Sequence, residues 1–565
     1  MREQKPQLTL ELWRAEHAAY AASPVVTAST EGIAALTAEA APSSIAGSIP
    51  SEPTVFATPL PSYKEKGAQD EEAVISMPPN LDKPPDARLH LLVPATLPNL
   101  HMCRLLYSAS VLDYPTPVIV NFKGKDKFDA SSSHLAKIHG IQRYINQLPP
   151  SCDDDLILIV DAYDVFFQLR ADVMIQRYFE VTREADEELR AIYGEEMVEK
   201  HNLRETILFG PDKLCWPENP QRPACSAVPD SPLPDDAFGD KTDTPGVPLL
   251  ARPRWLNSGT IMGPAADLRK LLEATLVKIN GTFEPDSPVA HSDQMYLADV
   301  WGDQEVARSK VLDSKLAAPS ESLWSNNSKP GTRKDAETII DSEYHVGIDY
   351  ESALFQTGAE YFPFISWKTH PKLDQNTSHS EDIDDDLRRF LPEDIEGSLS
   401  PFSAARKYLK APPVPGNWAY DREVNRLSRD ANLGWHQLFL ATNTATSQIF
   451  GLFHATGDKE IRQQMFARMW YFPYGEALLR VSATAAAEAW SRYQGKVPIT
   501  KTLHDSRTWL KAEPGDFLAH GESNMMHPLN SKGGAWVDLG YWVNWEQMCR
   551  RYEEKVFGRD TAVFD

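Results

Sequence analysis

The sequence predicts an α/β sandwich built on a mostly parallel central sheet. The first observation is alternation. Leu89–Val93 reads as a strand, about His101 to Val111 as a helix, Val118–Asn121 as a strand and about His134 to Asn146 as a helix. Strands alternating with helices of this length favour parallel pairing through crossovers. The second is Leu156–Val160, an unbroken apolar run that reads as a buried strand. The third is bulk: 565 residues, 42% hydrophobic and 10% aromatic, enough for a large core and two to four domains.

Further elements follow in order. Thr206–Phe209 is a short strand that leads into the loop Gly210 to Glu218. A Pro- and Asp-rich loop spans about 219–250. Trp255 to Gly263 precedes a helix from about Ala265 to Val277, and Ser292 to Tyr296 opens another. Asp349–Gln356 reads as a late strand, and Ile449–Phe453 as a buried one. An Ala-rich helical region runs from about 475 to Tyr493. Residues 1–86, rich in Ala, Ser, Thr, Pro and Glu without sustained period, read as a disordered N-terminal stalk, with a short amphipathic helix allowed near Leu8–Tyr20. The expected domains are that stalk, a catalytic-type α/β domain over 87–475 with an insertion at about 365–445, and a mainly helical C-terminal extension over 476–565.

The net charge of −23 argues against a nucleic-acid or anionic-membrane partner. It permits an anionic ligand wherever local cations or a metal reverse the field. None of the five cysteines forms a CxxC pair, so a cysteine-rich zinc site is not expected. Cys215 and Cys225 are spaced to allow one closed loop in an oxidising compartment. No run of about 18 apolar residues marks a membrane span, and Met1–Ala22 is too charged for a secretory signal core.

Two constellations carry chemistry. Asp161-Ala162-Tyr163-Asp164 follows the Leu156–Val160 strand and places two carboxylates at its end. Hard anionic ligands there suit Mn²⁺ or Mg²⁺, and a cation so held can grip a diphosphate. The plain alternative for either Asp is a turn former or helix cap. His454-Ala455-Thr456-Gly457-Asp458-Lys459 also follows an apolar run. Its His can complete a metal site, its Gly lets backbone N–H groups approach a phosphate, and its Lys adds a point charge. The plain alternative is a solvated turn. The two sets are complementary, and a metal-bound diphosphate needs both.

The ordered chain resembles the glycosyltransferase domain of the procollagen lysyl hydroxylases and the related collagen-type glucosyl- and galactosyltransferases. The residues that carry the resemblance are Leu92–Thr96, Leu158–Val165, Ile207–Gly210, Cys215–Glu218, Trp255–Gly259 with Gly263, Asp293-Gln294, and Leu354–Gln356, spread over about 89–360. The resemblance implies a GT-A type fold, a UDP-sugar donor, Mn²⁺ (or Mg²⁺), transfer of glucose or galactose to a hydroxyl on a protein or glycan, and retention of configuration. It implies metal ligation by Asp161, Asp164 and His454. Thr96, Lys137 and Tyr163 would line the nucleotide, with Tyr163 against the uracil, and Gly457 and Lys459 would meet the phosphates. Trp216, Asn257, Asp293 and Gln294 would border the donor sugar and acceptor, Asp293 positioning one of them. It further suggests an ER or Golgi lumen or secretion.

The chain departs from the family pattern in two places. The His segment is one residue shorter before its Lys, with His520-Gly521-Glu522-Ser523-Asn524 as a weaker rival. Ser292-Asp293 stands where the family has paired acids. The alternative reading is therefore a non-catalytic UDP- or glycan-binding member of the same fold. A nucleotidyltransferase or nucleotide-sugar hydrolase shares the metal logic. Lysyl hydroxylase activity is not expected, since no His-x-Asp iron pair follows residue 475.

Overall fold

The computed structural model describes residues 85–124, 134–317, 341–373, 390–409, 417–513 and 532–559. The expected N-terminal stalk, apart from its last two residues, and the rival segment at His520 lie outside them. What they show is a mixed α/β domain with one large sheet and flanking helices. The strands of the large sheet are β1 (Asp86–Pro94), β2 (Val118–Val120), β3 (Leu156–Val160), β5 (Ile207–Asp212), β6 (Trp255–Pro264), β7 (Val346–Ile348), β12 (Thr508–Lys511), β13 (Gly534–Val537) and β14 (Trp542–Asn544). Their order is β14-β13-β2-β1-β3-β6-β5-β7, with β12 pairing the first half of β1. A smaller sheet joins β4 (Val165–Phe167), β11 (Leu452–His454) and β8 (Phe355–Thr357), and β9 (Ile365–Lys368) pairs β10 (Leu440–Asn443).

The helices used below are α1 (Leu100–Val111), α2 (Leu135–Gln147), α3 (Ala171–Tyr193), α4 (Ala265–Thr282), α5 (Asp293–Ala317), α6 (Trp418–Asp430), α7 (Ile461–Arg468) and α8 (Gly475–Arg492). Asn99 starts α1: its Oδ1 accepts from the N–H groups of His101 and Met102, each at 2.9 Å, and so satisfies two open donors. Every residue of β3 is buried, as its unbroken apolar run requires. One core cluster joins β3 to α2, α4 and α5 through Ile157, Ile159, Ile141, Leu268 and Trp301.

The pairings β13/β2, β2/β1, β1/β12, β1/β3 and β5/β7 are parallel, and β3/β6, β6/β5 and β13/β14 antiparallel. The reversal at β6 brings its first residues, not its last, beside the carboxyl end of β3. Two expectations change in detail. The late strand expected at 349–356 is instead a loop between two short strands, β7 and β8, with β8 beginning only at Phe355; in the loop Asp349 accepts from the N–H groups of Ala353, Leu354 and Phe355. Downstream of 475, the long helix α8 is joined by β12, β13 and β14, which enter the main sheet. No helix among the described residues is long and apolar enough to cross a membrane.

Candidate metal centre

Asp161 directly follows β3, and Asp164 directly precedes β4, so one tight connection presents both carboxylates. His454 ends β11, which pairs antiparallel with β4 so that His454 faces Val165. The next residue, Ala455, donates its N–H to the Asp164 carbonyl at 2.7 Å. This pairing closes a sequence gap of nearly 300 residues. His454 Nε2 lies 3.3 Å from Asp164 Oδ1 and 4.0 Å from Asp161 Oδ2. One ligand atom from each of the three residues lies within 4.8 Å of the others.

Gly259 makes room for the imidazole. A Cβ there would fall 2.0 Å from His454 Cε1, well inside contact distance. The backbone of this glycine is also structural, since its carbonyl accepts from Asp161 N–H at 2.8 Å. Two carboxylates and an imidazole form a donor set suited to a divalent ion of intermediate hardness. His454 Nδ1 is buried without a hydrogen-bond partner, so Nε2 is the ring nitrogen that faces the carboxylates.

Two lysines balance the carboxylates from opposite sides. Lys459 bonds Asp164 Oδ2, leaving Oδ1 toward His454, and also donates to the Ala455 carbonyl at 3.1 Å. The turn that returns Lys459 to Asp164 passes through Gly457 at φ +74°, a left-handed conformation open to glycine. Lys137, 9% exposed on α2, donates to Asp161 Oδ1 at 2.8 Å and to the Ser258 carbonyl at 2.7 Å. It also lies 3.1 Å from Asp293 Oδ2. Burial opposes its charge, but the Asp161 and Asp293 carboxylates outweigh it and raise its pKa. Asp164 and Asp293 are held well below the usual carboxylate range. Burial acts against this, and the partners His454 and Lys459 for Asp164, and Lys137 and His134 for Asp293, overcome it.

Of the other sequence-selected residues, Thr96 bonds to Tyr163, and Asn257 and Gln294 bond to the Ser258-Gly259 stretch, whose Gly259 carbonyl accepts from Asp161 N–H. Tyr163 lies between Asp161 and Asp164 in the sequence. Its hydroxyl accepts from the N–H groups of Thr96 and Leu97 at 3.1 and 3.2 Å and donates to the Leu97 carbonyl at 2.9 Å. On the opposite side, Asn257 at the start of β6 donates to Asp212 Oδ2 at 3.2 Å and accepts from Gly259 N–H at 3.0 Å. Gln294 Oε1 accepts from Ser258 N–H at 3.4 Å. Trp216 is 53% exposed on the loop after β5, within the ring closed by the Cys215–Cys225 disulfide.

Several neighbours escaped sequence reasoning. Burial pushes the Asp212 carboxyl up to about 6 against the hydrogen bond from Asn257. Arg462 on α7 donates to the Tyr163 carbonyl at 2.9 Å. His101 is lowered to about 4 by burial and then by Arg462 and Arg104. Asp212 had a local signal, because it ends a strand as Asp161 follows one. Arg462, His101 and Arg104 had none, since they come together through packing of α1 against α7.

No family model matches the chain. It is similar to the "Multifunctional procollagen lysine hydroxylase and glycosyltransferase" of Caenorhabditis elegans, 24% identical over 160 residues. That stretch is 28% of this chain and 15% of the nematode protein, so the homology is weak and partial.

Proposed function

We propose that the chain is a metal-dependent glycosyltransferase of GT-A type that moves glucose or galactose from a UDP-sugar to a hydroxyl acceptor on a protein or glycan. The observation that carries this reading is the convergence of Asp161, Asp164 and His454, with Lys459 on Asp164, at the end of a buried strand. The partial homology to a protein named as a glycosyltransferase supports it. In this reading the catalytic domain is 87–475, and the strands after 475 extend its sheet. The two disulfides suit maturation in an oxidising lumen or outside the cell.

Asp161, Asp164 and His454 would hold Mn²⁺ or Mg²⁺. Bound there, the ion supplies Lewis-acid stabilisation of the leaving diphosphate. The chain's own residues do the rest. Lys459 turns its ammonium from Asp164 toward the phosphate oxygens, and the Gly457 backbone leaves space for them. Lys137 pairs with Asp161 and holds the buried Asp293 ionised. Asn257, Gln294 and the exposed Trp216 face the side where the sugar and acceptor hydroxyl meet. Asp293 orients that side through Lys137 and the Ser258 backbone.

The test is UDP release from UDP-glucose and UDP-galactose, with Mn²⁺ and with chelator. We expect Mn²⁺-dependent release from one donor, falling at least 100-fold in Asp161→Asn. UDP binding without release from any donor, with acceptors supplied, would replace this reading with a non-catalytic binding protein.

A further inference from the structure

The chain carries three Asn-x-Ser/Thr triplets, at Asn280, Asn326 and Asn376. Such triplets arise often by chance, so the fold has to say whether one is usable. Asn326 and Asn376 lie outside the described residues. Asn280-Gly281-Thr282 closes α4, and all three of its residues are exposed.

α4 has one buried face and one solvent face. Leu268, Leu271, Leu272, Thr275 and Ile279 are buried. Glu273, Val277 and Asn280 are exposed, at the i, i+4, i+7 spacing of a single helix face. A Cβ added at Gly281 would meet no atom within 4 Å, so the space beside Asn280 is open. The helix end is held without covering that face. Lys278 pairs with Asp303 of α5 at 2.5 Å, and Phe283 packs edge-on against the His291 ring at 5.4 Å. A bulky hydrophilic group on Asn280 therefore displaces no core residue.

The direction of α4 sets where such a group emerges. The helix begins beside the amino end of β3, where Arg269 donates to Asp153 Oδ1 at 2.8 Å and to the Ile145 carbonyl of α2 at 3.4 Å. Its 18 residues then rise about 27 Å. Just beyond its far end, the His291 carbonyl accepts from His134 N–H, at the start of α2, at 3.2 Å. His134 Nδ1 in turn lies 3.7 Å from Asp293 Oδ1. Asn280 thus sits at the end of α4 nearest the edge that carries the metal centre.

The cysteines point to the compartment. Four of the five are paired, as Cys103–Cys549 and Cys215–Cys225, and the first bond joins residues 446 apart. Disulfides of this kind persist in an oxidising lumen or outside the cell, where Asn-x-Thr triplets meet the glycosylation machinery.

We infer that Asn280 carries an N-linked oligosaccharide, attached in an oxidising lumen before α4 folds and displayed at the rim of the metal-bearing edge. The order of events follows from Thr282. In the folded helix its hydroxyl donates to the Lys278 carbonyl at 2.8 Å, a bond that competes with any to the Asn280 amide. In the attachment, the Asn280 amide nitrogen bonds the anomeric carbon of an oligosaccharide carried on a lipid diphosphate. The bond from that carbon to the diphosphate oxygen breaks, and the amide gives up one proton. The lipid-linked donor and its transferase belong to the compartment. Here the chain is an acceptor, whatever donor it uses itself.

The experiment isolates the full chain from the cells that make it and treats it with peptide-N-glycosidase in heavy-oxygen water. Each asparagine that carried a glycan becomes a labelled aspartate, located by peptide mass spectrometry. We expect the label at Asn280 in most copies. Asn280→Gln and Thr282→Val, expressed in the same cells, should each lose the mass of one glycan, and Thr282→Ser should keep it. A folding defect in one variant leaves the other, and the wild-type peptide map, to decide. Unlabelled Asn280 in the wild-type chain would overturn the assignment, even with label at Asn326 or Asn376. So would undiminished glycan mass in both losing variants. No label anywhere, with free thiols at Cys103 and Cys549, would overturn the lumenal route as well. None of these results bears on the metal centre, which UDP release tests separately.

Discussion

At the residue scale, the metal centre depends on a side chain that is missing and on a buried cation beside it. Gly259 is the missing one. In Gly259→Ala the new methyl would overlap the His454 ring, so the ring must move off the carboxylates. We expect Mn²⁺ affinity to fall more than 10-fold in this variant while circular dichroism stays that of wild type. An unchanged affinity would show that His454 contributes nothing to ion binding. Lys137 is the opposite case, since its removal leaves Asp161 and Asp293 facing each other without their shared cation. Uncompensating a buried ion pair costs roughly 3–5 kcal/mol. Lys137→Met should therefore lower the free energy of unfolding in chemical denaturation by about that amount, and Lys137→Arg should recover part of it.

At the element scale, β6 and the C-terminal strands decide the outcome. Because β6 runs against β3, its opening residues Asn257, Ser258 and Gly259 meet Asp161, Gln294 and His454. A parallel strand in that place would deliver its other end. β13 and β14 extend the sheet from β2, and the Cys103–Cys549 bond closes a loop of 446 residues. Cross-links of this kind typically contribute about 2–4 kcal/mol, chiefly by restricting the unfolded chain. Cys549→Ser should lose that amount in chemical denaturation. It should also loosen the C-terminal segment that the bond ties to α1, read as faster hydrogen exchange across residues 541–552; no gain in exchange there would show that the segment is held by its other contacts.

At the scale of the whole molecule, acid and metal move stability in calculable directions. Asp293 and Asp113 have folded pKa values below their unfolded ones, through Lys137 and His134 for the first and Lys511 and Arg170 for the second. Their stabilisation is complete above the unfolded carboxylate value of about 4 and is lost as pH falls below it. The thermal midpoint should therefore drop on acidification below about pH 4, and Asp293→Asn should flatten that limb. An identical acid limb in the variant would remove Asp293 from the account. An ion that binds the folded state alone adds about 2.7 kcal/mol at a hundredfold excess over its Kd. Mn²⁺ should raise the midpoint of the wild-type chain, chelator should reverse this, and Asp161→Asn should show neither effect.

The sequence by itself determined the local part of this protein. An apolar run fixed β3 at Leu156–Val160, because a strand buried on both faces must be apolar throughout. The Asp-x-x-Asp spacing then put two carboxylates at its end. His454 was legible for a similar reason, as a polar residue closing a buried strand and followed by a glycine turn. The permitted Cys215–Cys225 loop was readable from its short spacing. Tertiary structure alone decided what depends on distant pairing. The direction of β6, the entry of β12, β13 and β14 into the main sheet, the Cys103–Cys549 bond and the place of Lys137 between two acids all join segments far apart in sequence. Periodicity reports which face of an element is buried, but it carries no record of which other element does the burying.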